Sequence, residues 1–378
     1  MTRFLTPYDL DEISGTLEDR AYPLPNELQS NFGTVNLFET ETIDLDKVSP
    51  DLRIGIFVAP EVNAKPTTGR GYETKVFYPG YWKDKATVDF RNLRKRQAGQ
   101  ALAAPTSNAG KIASALMYHM DIMKAKRVRL MEWIAAEVLI KGSYTAVSEL
   151  HPSVLVDLEP NIATDAASLN GGNANRANLT SGTVNGWPAI TDNGGSGYRA
   201  WDLATGTGTV DPSPVEDFQQ MLDAMWEAPS KVYMSDDAWK KFSADAKFDN
   251  FVDTTKSDIG SMLRDTSPRM ATPEGLKLRG YVNGTPIYTY NAFYQATGAA
   301  IGADTPYIGS GYVIMVPNSV YGSQNFGAIQ HGGADFRASE LFWNSWTSDE
   351  DGRPWLQGQS APLFLHSKIN STVCWKVM

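Results

Sequence analysis

Along residues 108–141 the apolar side chains Ile112, Leu116, Met120, Met123, Leu130, Ile134 and Val138 recur at steps of three and four. That spacing puts them on one face of a 3.6-residue helix. Arg127 alone interrupts the stripe. Thr106, Ser107 and Asn108 offer N-cap oxygens just after Pro105, and Gly142 stands where a left-handed residue would close the last turn. The pattern predicts a single proline-free helix over 108–141, roughly 50 Å long at about 1.5 Å per residue. Ordinary helices run three or four turns, so this one reads as a strut.

Strand-like runs flank it. Residues 54–58 and 74–78 are rich in β-branched and aromatic side chains, and residues 64–71 between them hold Pro66, Gly69 and Gly71. A long two-stranded arm is the expected result. Such a ribbon is marginal in water by itself, and ordering each residue costs roughly 1–2 kcal/mol, so it needs a partner surface to become rigid. Further along, residues 214–228 carry Val215, Phe218, Met221, Leu222, Met225 and Trp226 at helical spacing, and residues 231–234 read as a short strand. Asp236 is placed to cap a helix bearing Trp239 and Phe242. Residues 276–290 read as a hairpin turning at Asn283-Gly284, the dipeptide best suited to a type I′ turn. Residues 312–316 read as a buried strand ended by Pro317, residues 361–366 and 372–377 as a pair of strands, and the aromatic run at 339–346 as core.

Charge divides the chain. Residues 1–50 hold ten acidic and three basic residues, whereas between Lys65 and Arg96 nine Lys or Arg face three Asp or Glu, in a chain of net charge −9. Complementary fields of this kind steer copies of one chain together if acidic arm and basic loop meet between neighbours. From 161 to 210 the composition shifts to Gly, Asn, Ser and Thr, with nine glycines and five charged residues, which reads as an irregular insertion anchored by Trp187, Tyr198 and Trp201.

Length and composition fit a globular chain of two packed domains: 378 residues, 42% hydrophobic and 20% charged. No run approaches the roughly 18 apolar residues of a membrane span, and residues 1–15 lack the apolar core of a signal peptide. Cys374 is the one cysteine, expected as a buried small hydrophobe in a reducing cytoplasm.

Catalytic patterns fail on inspection. Gly110-Lys111 mimics a phosphate loop, but Pro105 replaces its first glycine and Ile112 its hydroxyl residue. Gly358-Gln-Ser360 mimics a nucleophile elbow until Pro362 replaces the closing glycine. His119, His151, His331 and His366 are scattered singly, so neither zinc nor any other cofactor is expected, and no enzyme activity. The alternatives weighed are an aromatic-rich glycan-binding module or hydrolase, and a nucleic-acid-binding protein built on Arg91, Arg94, Lys95, Arg96 and the helix cations Lys124, Lys126, Arg127 and Arg129.

Four blocks in order, Phe77-Tyr-Pro-Gly-Tyr-Trp-Lys-Asp-Lys85, the basic cluster 91–96, Val138-Leu-Ile-Lys-Gly-Ser-Tyr-Thr145 and Gln359-Ser-Ala-Pro-Leu-Phe-Leu365, make the chain resemble the lambda-like major capsid protein E family of tailed phages. The resemblance implies an α+β chain with the Hong Kong 97-type capsid fold: an N-terminal arm, an extended β-hairpin loop, a peripheral domain on a long spine helix, and an axial domain. The corresponding divisions are 1–50 for the arm, 51–98 for the loop, 99–160 for the peripheral domain with its helix at 108–141, 161–210 for the insertion, 211–334 for the axial domain and 335–378 for strands returning to the peripheral domain. It implies self-assembly into hexamers and pentamers of an icosahedral head in the host cytoplasm. Scaffold, portal and decoration proteins are the implied partners, with non-specific contact to packaged DNA and no membrane. Expected contacts between subunits are Lys65, Arg70, Lys75, Tyr81, Trp82, Lys83, Lys85, Arg91, Arg94, Lys95 and Arg96 in the loop, and Asp9, Asp11, Glu12, Glu18 and Asp19 in the arm.

Overall fold

A computed structural model describes residues 24–48, 60–61, 63, 71–87, 108–148, 151–164, 174–190, 199–203, 212–225, 227–248, 275–282, 284–296, 303–317, 322–349, 352–366 and 368–378. The chain enters through a 3-10 turn, Gln29–Asn31, followed by β1 (Thr34–Leu37), β2 (Ile43–Val48), β3 (Tyr72–Phe77) and β4 (Trp82–Thr87). The strut α1 (Asn108–Lys141) comes next, occupying the residues its apolar period predicts. Gly142 ends it at φ +71°, donating its N–H to Val138 O at 3.0 Å. A Cβ there would also lie 2.7 Å from the Pro160 ring, so both backbone and space require glycine. The hairpin β5 (Ser143–Ser148) and β6 (His151–Asp157) folds back at once, and β7 (Arg176–Asn178) leads into the insertion.

α2 (Pro214–Asp223), β8 (Pro229–Met234) and α3 (Asp236–Ser243) follow. The hairpin β9 (Leu276–Val282) and β10 (Thr285–Tyr290) turns at Gly284, φ +82°. β11 (Phe293–Tyr294) pairs with β12 (Thr305–Pro306); then come β13 (Tyr312–Pro317), β14 (Gly322–Phe326), β15 (Phe342–Thr347), β16 (Pro354–Ser360), β17 (Pro362–His366) and β18 (Val373–Lys376).

A six-stranded mixed sheet, in the order β7-β18-β13-β8-β10-β9, divides the interior in two. Side chains alternate across a strand, so Val313 and Met315 of β13 pack with Val215, Phe218 and Met221 of α2 and Phe242 of α3, while Ile314 and Val316 pack with Ile134, Ala135 and Val138 of α1. β8 divides the same way, Val232 and Met234 against Tyr233. Burial on both faces explains why β13 reads as a continuous apolar run. Two three-stranded sheets, β1-β14-β17 and β15-β16-β4, complete the packing around α1, and β2-β3 stands as a two-stranded ribbon.

Several expectations change. β3 pairs with β2 (Ile43↔Phe77 through Val48↔Tyr72), so the partner of the 74–77 run comes from before residue 50; residues 54–58 lie outside the described residues. The two tail strands do not pair with each other. β17 joins β14 and β18 joins β13 and β7, because the short connection holding the 3-10 turn Ile369–Ser371 carries the chain from one sheet to another. α3 is capped by Ser235, whose hydroxyl accepts from Ala238 N at 3.3 Å, leaving Asp236 to bind Arg279 and Asn291. The 342–347 run is an edge strand with Trp346 at 39% exposure rather than core. Finally α1 is amphipathic only in its first half: Met117, Tyr118 and Ile122 are exposed, whereas from Met131 to Ile140 only Trp133 and Glu137 escape full burial.

Candidate assembly surfaces

Glu132 lies inside the buried half of α1 with no exposed surface. The 3-10 turn at Gln29 starts with backbone donors that have no partner of their own, and its N-cap Leu28 has no side chain to supply one. Glu132 supplies it from 104 residues away: Leu28 N–H donates to Oε1 at 2.9 Å and Gln29 N–H to Oε2 at 3.1 Å. The Tyr290 hydroxyl of β10 donates to Oε1 at 2.6 Å. One carboxylate thus ties the base of the N-terminal arm to the strut and to the large sheet. Burial raises the pKa of Glu132, against the lowering effect of these three donors. Beside it Glu27 accepts from Lys231 Nζ at 2.7 Å and from the Tyr233 hydroxyl at 2.8 Å, which closes a second contact between arm and sheet.

The ribbon is buried at its root and held along its length by one carboxylate. Ile43 and Phe77 are buried, but Leu45, Val48, Tyr72 and Val76 are exposed along its length. Glu159, just beyond β6, bonds Lys47 Nζ at 2.8 Å and also Lys75. Hydrogen bonds from these two ammonium groups depress the Glu159 carboxyl to about 2. On the hairpin β5-β6, Tyr144 and Val156 face inward while Val147 and Leu155 are exposed at 67% and 65%. Exposed apolar side chains on two-stranded ribbons are what a partner surface would cover.

The basic block after the ribbon is held by its own chain. β4 pairs with β16 over six residues, Trp82 packs beside Gly358, and Tyr81 donates to Gln359 Oε1 at 2.5 Å while accepting from Gln330 N at 3.2 Å. Lys85 Nζ sits 4.9 Å from the Trp355 ring centroid, and Lys126 of α1 reaches Asp84 at 2.8 Å. Of the expected contacts, Lys75, Tyr81, Trp82 and Lys85 therefore have partners within the chain, and Lys83 is exposed on the same strand. Lys65, Arg70, Arg91, Arg94, Lys95, Arg96, Asp9, Asp11, Glu12, Glu18 and Asp19 lie outside the described residues.

Two buried charges fasten the insertion. Arg176, fully buried, donates from Nη2 to Leu139 O at 3.1 Å and from Nη1 to Thr372 O at 2.5 Å and Asn175 O at 3.1 Å. Its partners are carbonyls, including one in the last turn of α1, where the helix dipole favours a cation. Asp217 of α2, also fully buried, accepts from Arg199 Nη2 and from Trp201 Nε1 at 2.9 Å, and burial pushes it up to about 6. Trp187 and Trp201 are buried anchors, and Tyr198 lies outside the described residues. Sequence reading missed Glu132, Arg176 and Asp217: each is a charge in an apolar setting, and each looks like a solvated position until its distant partners are placed.

Among the described residues no group of three His, Cys, Asp or Glu converges to hold a metal ion, and no helix is long and apolar enough to cross a membrane. Burial raises the Cys374 thiol to about 12, which keeps it protonated.

The profile of the phage major capsid protein E family matches residues 10–174 and 196–377. The major capsid protein of Enterobacteria phage P21 and the P21 prophage-derived major head protein of Escherichia coli O6:H1 strain CFT073 are each 22% identical over 339 residues, covering 88% of this chain and 87% of their own. A crystal structure described as a prophage capsid protein of E. coli CFT073 superposes with a TM-score of 0.61 at 15% identity, covering 98% of this chain and 97% of that one, which places the fold with phage capsids. With nearly its whole length matched, the chain belongs to the phage major capsid protein E family.

Proposed function

We propose that this major capsid protein closes an icosahedral head by forming hexamers and pentamers from one chain, with the ribbon β2-β3 of each copy lying over its neighbour. The observation that carries the proposal is the ribbon itself: buried at Ile43 and Phe77 and held at Lys47 and Lys75 by Glu159, it leaves Leu45, Val48, Tyr72 and Val76 exposed among the described residues. A two-stranded element of this kind gains rigidity only against another surface. Heterologous contacts of this type close into rings, and many modest contacts per subunit multiply into a stable shell. In the proposed division α1 serves as the spine of a peripheral domain spanning 99–160 and the returning strands, residues 211–334 form the axial domain, and the arm of residues 1–50, docked on its own chain by Leu28, Phe32 and β1 and joined to the ribbon by β2, reaches toward the next ring through its N-terminal part. Assembly would take place in the host cytoplasm around separate scaffold and portal proteins, with decoration proteins outside and weak phosphate contacts to packaged DNA inside.

Electron microscopy of the purified chain tests this directly. Closed shells or rings are expected, and a monodisperse monomer under all assembly conditions would refute it. Replacing Arg94, Lys95 and Arg96 together by Glu is expected to leave a soluble, folded chain that forms no particles; normal particles from that variant would show that the basic cluster is not an assembly contact.

A further inference from the structure

Building on the shell reading, we propose that the outer edge of β15 is the docking site for the basic segment 91–96 of a second copy of this chain, with an arginine of that segment stacked on Trp346. β15 ends the sheet β15-β16-β4, and among the described residues no strand pairs with its far side. Its main-chain donors and acceptors on that side are a template for another extended segment.

The side chains define what kind of segment fits. Trp346 lies parallel to Trp355, ring centroids 6.2 Å apart and planes 9° from parallel. Lys85 approaches the Trp355 ring from β4, the strand on the opposite side of β16 from β15. The row therefore runs Lys85, Trp355, Trp346 and ends at the sheet edge, where Trp346 is 39% exposed. The inner end of this row already carries a cation, and a part-exposed indole at its outer end favours another. Ser345 and Thr347 are exposed on the same strand, and exposed Asp349 lies just past its end, followed in sequence by Glu350 and Asp351. The edge thus presents a strand template, a π-face and negative charge together.

The chain holds a segment with the complementary properties. Arg91-Asn-Leu-Arg94-Lys95-Arg96 has four cations and no acid. In an extended strand Arg94 and Arg96 project to one side, so one can stack on Trp346 while the other reaches toward Asp349. A guanidinium suits this slot better than an ammonium because it is planar and weakly hydrated.

The test uses two single substitutions on separate chains, Thr347→Cys and Lys95→Cys, which the alternation of side chains puts together on the face opposite the stack; the native Cys374 is buried and outside the reaction. Co-assembled and oxidised, the two are expected to give a covalent dimer on a non-reducing gel. Particles that assemble but show no such dimer would overturn the docking site while leaving the shell reading intact, whereas a wild-type chain that forms no particles at all would defeat the shell reading. A double variant that cross-links within one chain would assign the β15 edge to its own basic segment and equally overturn the proposal. Should a cysteine variant fail to fold, hydroxyl-radical labelling of the wild type decides: Trp346 is expected to lose at least three-quarters of its labelling on assembly, and unchanged labelling refutes the site.

Discussion

Replacing Glu132 by Leu removes the acceptor for three donors while keeping the side chain's bulk. The Leu28 and Gln29 amides and the Tyr290 hydroxyl, now at 2.6–3.1 Å from the carboxylate, would be left inside without partners. An unsatisfied buried donor costs about 1–3 kcal/mol. Set against this is relief of the carboxylate's own desolvation, which is what raises its pKa. The net expectation for Glu132→Leu is a loss of about 3 kcal/mol. Glu132→Gln retains one acceptor oxygen and should lose about 1–2 kcal/mol. Urea unfolding of the unassembled chain measures both, and limited proteolysis reports where the loss occurs, since cleavage near residues 24–33 should rise well before the large sheet opens. Equal stability of the Leu variant and the wild type, or arm protection unchanged in both variants, would refute the idea that this carboxylate fastens the arm to the strut.

The ion pairs along the ribbon give a second expectation. The folded-state pKa of Glu159 is depressed to about 2 by Lys47 and Lys75, below its unfolded value of 4.5, so the unfolded chain binds more protons between those limits. The contribution is complete above pH 4.5 and is lost as pH falls toward 2. Because Glu159 is half exposed, solvent screening keeps it under about 1 kcal/mol. Hydrogen exchange of the β2 and β3 amides should accelerate in Glu159→Gln at pH 7, and unchanged exchange would show that the ribbon is anchored elsewhere. Two buried groups should show opposite slopes of stability with pH. Burial, with a smaller contribution from Arg176, lowers His366 to about 4, so its contribution is lost as pH falls from 6.5 toward 4. Burial raises Asp217 to about 6, so its contribution is greatest near pH 3.8 and is lost as pH rises toward 6. Denaturation between pH 4 and 6 should therefore find His366→Gln lacking the first slope and Asp217→Asn lacking the second; identical profiles in both variants would contradict the assignment.

What the sequence determined by itself was local. The apolar period from Ile112 to Val138 and the closing Gly142 defined α1, Gly284 defined the β9-β10 turn, and the unbroken apolar run with Pro317 defined β13. In each, the signal and the structure it specifies lie within a few residues of one another, where backbone geometry decides. Tertiary structure alone decided partnership. The 74–77 run pairs with β2, β17 and β18 enter different sheets, and Trp346 comes to an edge because every strand can satisfy its backbone with any other strand. The choice among them is made by burial summed over distant residues. The same holds for the charges. Glu132, Arg176 and Asp217 look solvated in sequence, and become internal fasteners only when the arm, the tail and the insertion close around α1 and α2 and bring donors and acceptors from 16 to 196 residues away. A buried polar group is defined by its partners, and those partners exist only in the folded chain.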